Sequence, residues 1–249
     1  YMIKVLVNGC NGKMGQEVVN AIINNEKFEV LCGVDMSDTG KYIFPVYTKI
    51  EEIAEKPDVI VDFSVPKATI NILEFAKNNH VPIVIATTGL SEEENTYIKE
   101  CSKVIPIFQS PNMSYDINLM KKVVAEVAKM LKDTDIEIIE THHNRKVDAP
   151  SGTALTLANS INEALGNTKE YDFDRFSKRE KRKKNEIGFS SIRGGNIVGE
   201  HTVSFFGENE TFEITHRAYS RGVFAEGALK GAEFLVNKNN GYYTMEDIT

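Results

Sequence analysis

The segment from Glu140 to Thr156, ETHHNRKVDAPSGTALT, concentrates groups that handle protons and anions. His142 and His143 carry imidazoles whose ordinary pKa, near 6.5, suits them to give or take a proton at neutral pH. Lys146 adds a compact positive charge. Pro150-Ser151-Gly152-Thr153 opens a helical run, with proline tolerated in the first turn and Ser or Thr able to cap it. A helix start bearing two hydroxyls and a glycine lets a carboxylate approach closely. The combination predicts a receptor for a small anionic substrate. Zinc is not expected, because no cysteine lies nearby and no His-x-x-x-His pair offers two ligands on one face.

Both histidines can serve one site only if the strand carrying them ends there. DIEIIETHHN alternates so that Ile136, Ile138, Glu140 and His142 share one face, and Glu137, Ile139, Thr141 and His143 the other. The following NRKVDAP contains a proline that cannot continue a ladder, which marks the end of the strand.

A second constellation lies near the start of the chain. NGCNGKMG spaces Gly9, Gly12 and Gly15 as GxxGxxG between the apolar strand IKVLV and an amphipathic helix. Glycines there permit a tight turn, close approach to a pyrophosphate and tight helix-strand packing, while the helix start offers N–H groups to the anion. Asp35 ends the next strand about 20 residues past Gly15, where an acid holds the adenosine ribose of a dinucleotide. Met36 and Ser37 follow, so no adjacent cation pairs with a 2′-phosphate, although Lys41 is within reach. NADH is therefore expected to be used at least as well as NADPH.

These features need elements to hold them. Through the first half, IKVLVN, FEVLCGVD, DVIVDF and PIVIAT alternate with helical stretches, a βαβ rhythm. Near-continuous Val/Ile runs suit a parallel sheet covered on both faces, with ligands at the strand ends. After VIPIFQSPN, around residue 112, the rhythm changes to one long helix, Tyr115 to Leu131, and then to alternating strands. Ile187 to Arg217 reads as three strands joined by Gly-Gly and Gly-Glu-Asn turns, with antiparallel alternation. Arg221 to Asn237 returns to helical periodicity, with Ala225, Ala228, Leu229 and Ala232 on one side, fit to pack back on the first domain. The fold expected is α/β: a Rossmann-type doubly wound parallel sheet over residues 1–112 and 217–249, with a second α+β domain over 113–216.

The chain has 249 residues and a net charge of −7, with a pI near 5.4. Such a balance argues against general affinity for nucleic acid or an anionic membrane, so any anion must be captured locally. The basic run from Lys178 to Glu186, KREKRKKNE, mixes in glutamates and is expected to be a solvated loop. Cys10, Cys32 and Cys101 are odd in number, without metal-type spacing, and are expected to be small buried hydrophobes in a reduced, cytoplasmic setting. The start YMIKVLVNG has no secretory pattern, and no apolar run reaches the 18 or so residues of a membrane span.

THHNRKVDAPSGTAL, SIRGGNIVGEHTVSFFG, FEITHRAYSR and GCNGKMG together closely resemble the 4-hydroxy-tetrahydrodipicolinate reductase (dihydrodipicolinate reductase) family, from the first strand to the last helix. The resemblance implies a nicotinamide-dependent enzyme of the diaminopimelate route to lysine, usually a homotetramer joined through the sheets of the middle domain. By motif position, Gly9, Cys10, Asn11, Gly12, Lys13 and Met14 would meet the pyrophosphate, and Asp35 the ribose. Ala86, Thr87 and Thr88 would flank the nicotinamide, and Ser110, Pro111, Asn112 and Met113 would form the cofactor-facing hinge. His142 takes the place of the proton donor and Lys146 that of the second catalytic residue; His143, Ser151, Gly152 and Thr153 would bind the dicarboxylate. Two positions depart from the family pattern: Asp116 replaces a glycine in PNMSYDIN, and Met36 replaces a basic residue. An amino-acid semialdehyde dehydrogenase would share the glycine turn but does not predict HHNRKVDAPSGT; a redox-sensing module that binds NADH without chemistry would bind the cofactor tightly and show no dipicolinate-dependent oxidation.

Overall fold

The structure, a computed structural model, describes residues 1–249. Apolar runs form β1 (Ile3–Asn8), β2 (Phe28–Val34), β3 (Val46–Tyr47), β4 (Val59–Asp62), β5 (Ile83–Ile85) and β6 (Pro106–Gln109), with α1 (Lys13–Ile23), α2 (Pro66–Asn79) and α3 (Glu92–Cys101) between them. Then follow α4 (Tyr115–Met130), β7 (Asp135–His142), α5 (Gly152–Ala164), β8 (Glu170–Asp172), α6 (Arg175–Lys178), β9 (Glu186–Arg193), β10 (Gly199–Phe206) and β11 (Thr211–Ala218). The chain closes with α7 (Gly222–Leu235) and β12 (Gly241–Tyr243).

Two compact units result, Tyr1–Tyr115 with Arg221–Thr249, and Asp116–Ser220. In the first, a seven-stranded sheet runs β12-β6-β5-β4-β1-β2-β3 with all pairs parallel. Strands β1, β4 and β5 are buried on both faces, which is why they read as unbroken Val/Ile rather than as an alternation. One face packs against α1 and α7 through Val18, Ile22, Ala225, Ala228 and Leu235. The other packs against α2 and α3 through Ile72, Leu73, Ala76 and Ile98. Helix α7 thus returns to the first unit, as its small-residue stripe predicts. The order reverses between β1 and β4, so this parallel sheet has its switch point beside the glycine turn.

The second unit carries a mixed five-stranded sheet, β11-β10-β7-β9-β8. Ile136 and Ile138 of β7, Ile187 of β9, and Val203 and Phe205 of β10 pack beneath α4 and α5. Here one expectation is corrected. Only β10 and β11 form a hairpin; β7 lies between β9 and β10, pairing parallel with the former and antiparallel with the latter. Gly194 and Gly195 therefore do not join neighbouring strands. Their segment runs beside the end of β7, where Gly194 N donates to His142 O, His143 N to Ile197 O and Asn144 N to Gly195 O.

Most of the basic run Lys178 to Glu186 is exposed, but Arg182 is not a solvated residue. Its guanidinium donates to Asp135 Oδ1, Glu137 Oε1 and the carbonyls of Ile136 and Glu186, clamping β7 to β9. Asp116 sits exposed in the first turn of α4, where a carboxylate complements the helix dipole.

Candidate active site

In the first unit the glycine turn is dictated by close approach. Gly9 has φ +80°, and a side chain there would meet Phe63 O at 2.8 Å. A Cβ at Gly15 would collide with Gly9 O. The turn therefore accepts only glycine at these two positions, and α1 begins behind it with Gly12 as a cap that has no side chain over the helix start. Asn11 N donates to Asp35 Oδ2 at 2.8 Å, tying the turn to the end of β2, while Asn11 Nδ2 donates to Ser37 O. Lys13 is exposed and Cys10 is buried beneath the turn. Burial pushes the Cys10 thiol up to about 11 and that of Cys32 to about 12, so neither is a nucleophile near neutrality.

Beyond the carboxyl ends of β4, β5 and β6 lies a cleft of about 400 Å³. Met14, Ala86, Thr87, Thr88, Ser110, Pro111, Asn112 and Met113 all line it, so the sequence-predicted nicotinamide and hinge residues converge. Phe63, Ser64, Arg221 and Phe224 line it too and were not anticipated. Their signal was positional: the first two follow a central strand, and the others begin the returning helix. Asp62, fully buried beneath the cleft, was also missed. It accepts from Asn8 Nδ2, Ser64 Oγ, Thr69 Oγ1 and Thr87 Oγ1 at 2.8, 2.5, 2.6 and 2.9 Å. Burial pushes its carboxyl up, against the pull of those four hydrogen bonds. Ser64 and Thr87 are thereby held at the cleft wall. A turn that only glycine satisfies, backed by an uncapped helix start and leading to this cleft, fits a dinucleotide.

In the second unit the burial of β7 alternates as its sequence does, with Ile136, Ile138, Glu140 and His142 inward. The strand stops at His142. His142 Nδ1 lies 2.5 Å from Glu140 Oε2, and Glu140 is gripped at both oxygens by Arg193, at 2.8 and 2.7 Å. Burial alone would raise the Glu140 carboxyl, yet hydrogen bonds from Arg193, Ser191 and His142 and the Arg193 charge hold it at about 2. For His142, burial lowers the pKa below its ordinary value, Glu140 pulls it up, and Lys146 and Arg193 push it down again. His201 packs edge-on against His142, ring centroids 5.1 Å apart, and burial followed by the His142 charge pushes it down to about 3.

Ser151 caps α5, accepting from Ala154 N at 3.2 Å, while its Oγ lies 2.8 Å from His201 Nε2 and its own N donates to Glu140 Oε1. The hydroxyl is thus turned inward. Gly152 is exposed, with open space where a Cβ would stand, and Thr153 follows in the first turn of α5. Lys146 is bonded to Asp148 at 2.8 Å, and Arg193 Nη2 also donates to Asp148 O, steadying the connector between β7 and α5. The buried His143 Nδ1 has no hydrogen-bond partner. Glu140, Arg193 and His201 escaped the sequence reasoning; an acid on the inward face of a strand, two residues before His142, was the available signal.

Both units match known proteins. Residues 3–113 match the family model for the dihydrodipicolinate reductase N-terminus, and residues 116–249 that for its C-terminus. The 4-hydroxy-tetrahydrodipicolinate reductase of Caldanaerobacter subterraneus subsp. tengcongensis is 51% identical over 247 residues, covering 99% of this chain and 98% of the relative. That of Clostridium novyi is 45% identical over 248 residues, with the same coverage of each chain. The solved structure of a dipicolinate-bound dihydrodipicolinate reductase from Paenisporosarcina sp. TG-14 superposes with a TM-score of 0.83 at 29% identity, covering 100% of both chains. The chain belongs to the dihydrodipicolinate reductase family and has its activity, the reduction of 4-hydroxy-tetrahydrodipicolinate in lysine biosynthesis.

Proposed function

We propose that the first unit binds a reduced nicotinamide dinucleotide through Gly9 to Met14, Asp35, Ala86 to Thr88 and Ser110 to Met113. The Asp116–Ser220 unit then binds the cyclic dicarboxylate and protonates it through His142. The convergence of eight sequence-predicted residues on one cleft beyond the strand ends carries the first assignment. When bound, the nicotinamide supplies a hydride to the conjugated double bond of the dehydrated substrate.

That addition leaves an electron pair on the neighbouring carbon, and His142 Nε2 is the group we assign to protonate it. Lys146 exchanges Asp148 for a substrate carboxylate, helped by the α5 start at Gly152 and Thr153 and by the partnerless Nδ1 of His143. Ser151 supports this cradle as the cap and as the link to His201. The dipicolinate bound to the Paenisporosarcina relative supports a ring diacid as the ligand. Fixing such a diacid in place removes much of its freedom before the chemical step.

Asp35 accepts from Asn11 N and Met36 N, and the exposed Met36 supplies no cation for a 2′-phosphate, so NADH serves at least as well as NADPH. A coupled assay generating the substrate in situ compares the two cofactors. We expect comparable efficiencies or an NADH advantage; a kcat/KM for NADPH tens of times higher would overturn the reading of Asp35 and Met36. The face of the second sheet turned away from α4 and α5 exposes Ile192 and Phe206, in keeping with a homotetramer built on that face. Sedimentation should then give four times the 27.9 kDa chain mass. No helix is long and apolar enough to cross a membrane; we place the enzyme in the cytoplasm, where the buried thiols Cys10, Cys32 and Cys101 stay reduced.

A further inference from the structure

We propose that Glu140 is a positioning residue for the reduction: its carboxylate, clamped at both oxygens by Arg193, holds the His142 ring by its Nδ1–H and makes Nε2 the atom that carries the transferable proton. The proposal rests on the reading of His142 as the proton donor.

The geometry around the carboxylate carries it. The Glu140 side chain is 1% exposed, a costly place for a charge unless every lone pair is met. Here Arg193 supplies the paired donors that a planar guanidinium offers, Ser151 N adds a third, and His142 Nδ1 completes the set. An ionised carboxylate only accepts, so Nδ1 must be the donor in both the neutral and the cationic ring. Nε2 is left for chemistry. A Cβ at Gly199 would lie 3.1 Å from it, so β10 leaves room there by carrying no side chain at that position.

The charged and titratable groups around the ring are Glu140 on β7, Arg193 on β9, His201 on β10 and Lys146 on the connector, the last paired with Asp148. Of these, Glu140 alone is an anion in contact with the ring. Burial, Lys146 and Arg193 all disfavour the imidazolium, and Glu140 is the group that favours it. In the transfer the Nε2–H bond breaks with its electron pair kept by the ring. The pair on the substrate carbon forms the new C–H bond. The ring is left neutral with its proton on Nδ1, and Glu140 stays a carboxylate throughout.

The test is the pH dependence of kcat for the full-length enzyme with NADH and in-situ substrate, in the wild type, Glu140→Gln and Glu140→Asp, together with 15N histidine NMR of the wild type. Glutamine keeps the shape and removes the charge. The limb on which turnover falls with rising pH should move down by about one pH unit, and kcat near neutrality should fall at least roughly tenfold, with KM for NADH unchanged. Aspartate keeps the charge and should return the limb toward its wild-type position. In the wild type, neutral His142 should show the Nδ1–H tautomer, its signals identified by their loss in His142→Ala. A Glu140→Gln limb that stays in place, or a neutral His142 protonated on Nε2, overturns the proposal; should Glu140→Gln not fold, the tautomer decides alone. Full turnover in His142→Ala would instead sink the reading of His142, whereas an inactive His142→Ala beside an unmoved Glu140→Gln limb removes only the role given to Glu140.

Discussion

His142 is set between opposing influences, and its assigned work depends on their balance. A proton donor must hold its proton until the carbon needs it, and burial works against that while Glu140 works for it. Removing the ring should therefore strike turnover more than binding. We expect His142→Ala to lower kcat by roughly 10² to 10⁴ with little change in the KM for substrate. Thr153→Val, at the start of α5, should mainly raise KM by weakening the carboxylate cradle while kcat holds. Steady-state kinetics separates the two; the opposite pattern would exchange the roles given to these residues.

The glycine turn shows how an element can depend on a single missing methyl group. α1 can start where it does because Gly15 lets the helix backbone lie against Gly9 O. Gly15→Ala must push helix and turn apart, at an expected cost of about 3 kcal/mol, read as a lower urea midpoint at unchanged slope. Because the same turn presents the helix start, NADH affinity should fall at least roughly tenfold. A Gly15→Ala enzyme with native stability and native NADH binding would show that the turn is slack. α5 relies on a different device, a side-chain cap: Ser151 ties its first turn to His201 and Glu140, so the helix start, β7 and β10 are one hydrogen-bonded assembly.

Across the molecule as a whole, the buried polar groups of the second unit make its stability depend on pH. His201 has its pKa lowered from 6.5 to about 3 by burial and the neighbouring His142 charge, so the folded state stays neutral where the unfolded chain takes up a proton. Its contribution is intact above pH 6.5 and is lost as pH falls from 6.5 toward 3, at about 1.4 kcal/mol per pH unit. Glu140, lowered from 4.5 to about 2, acts in the same direction at lower pH: its stabilisation is present above 4.5 and is lost between 4.5 and 2. Chemical denaturation of the wild type should therefore show stability falling between pH 6.5 and 4.5, and His201→Gln should flatten that slope by about 1.4 kcal/mol per pH unit. Equal slopes in the two proteins would mean that His201 charges freely in the folded state.

Local pattern was sufficient for the parallel sheet, the glycine turn, the face that β7 turns inward and the return of α7, because each rests on a short period of apolar residues or on a helix-start signal read within one segment. His142, Lys146 and Gly152 could be singled out as candidates because they lie in one stretch of chain. Glu140 was placed on the inward face, but its role was invisible, since Arg193 reaches it from a strand more than fifty residues away. The Gly194-Gly195 segment imitated a hairpin turn; strand order placed β7 between β9 and β10 and turned it into a strap beside the histidines. Arg182 lies in a run that reads as solvated charge, yet the ends of β7 and β9 enclose it. Periodicity tells which side of an element is buried, whereas the partner that meets a buried charge is chosen by how distant strands pair, and that choice arises only when the chain has folded.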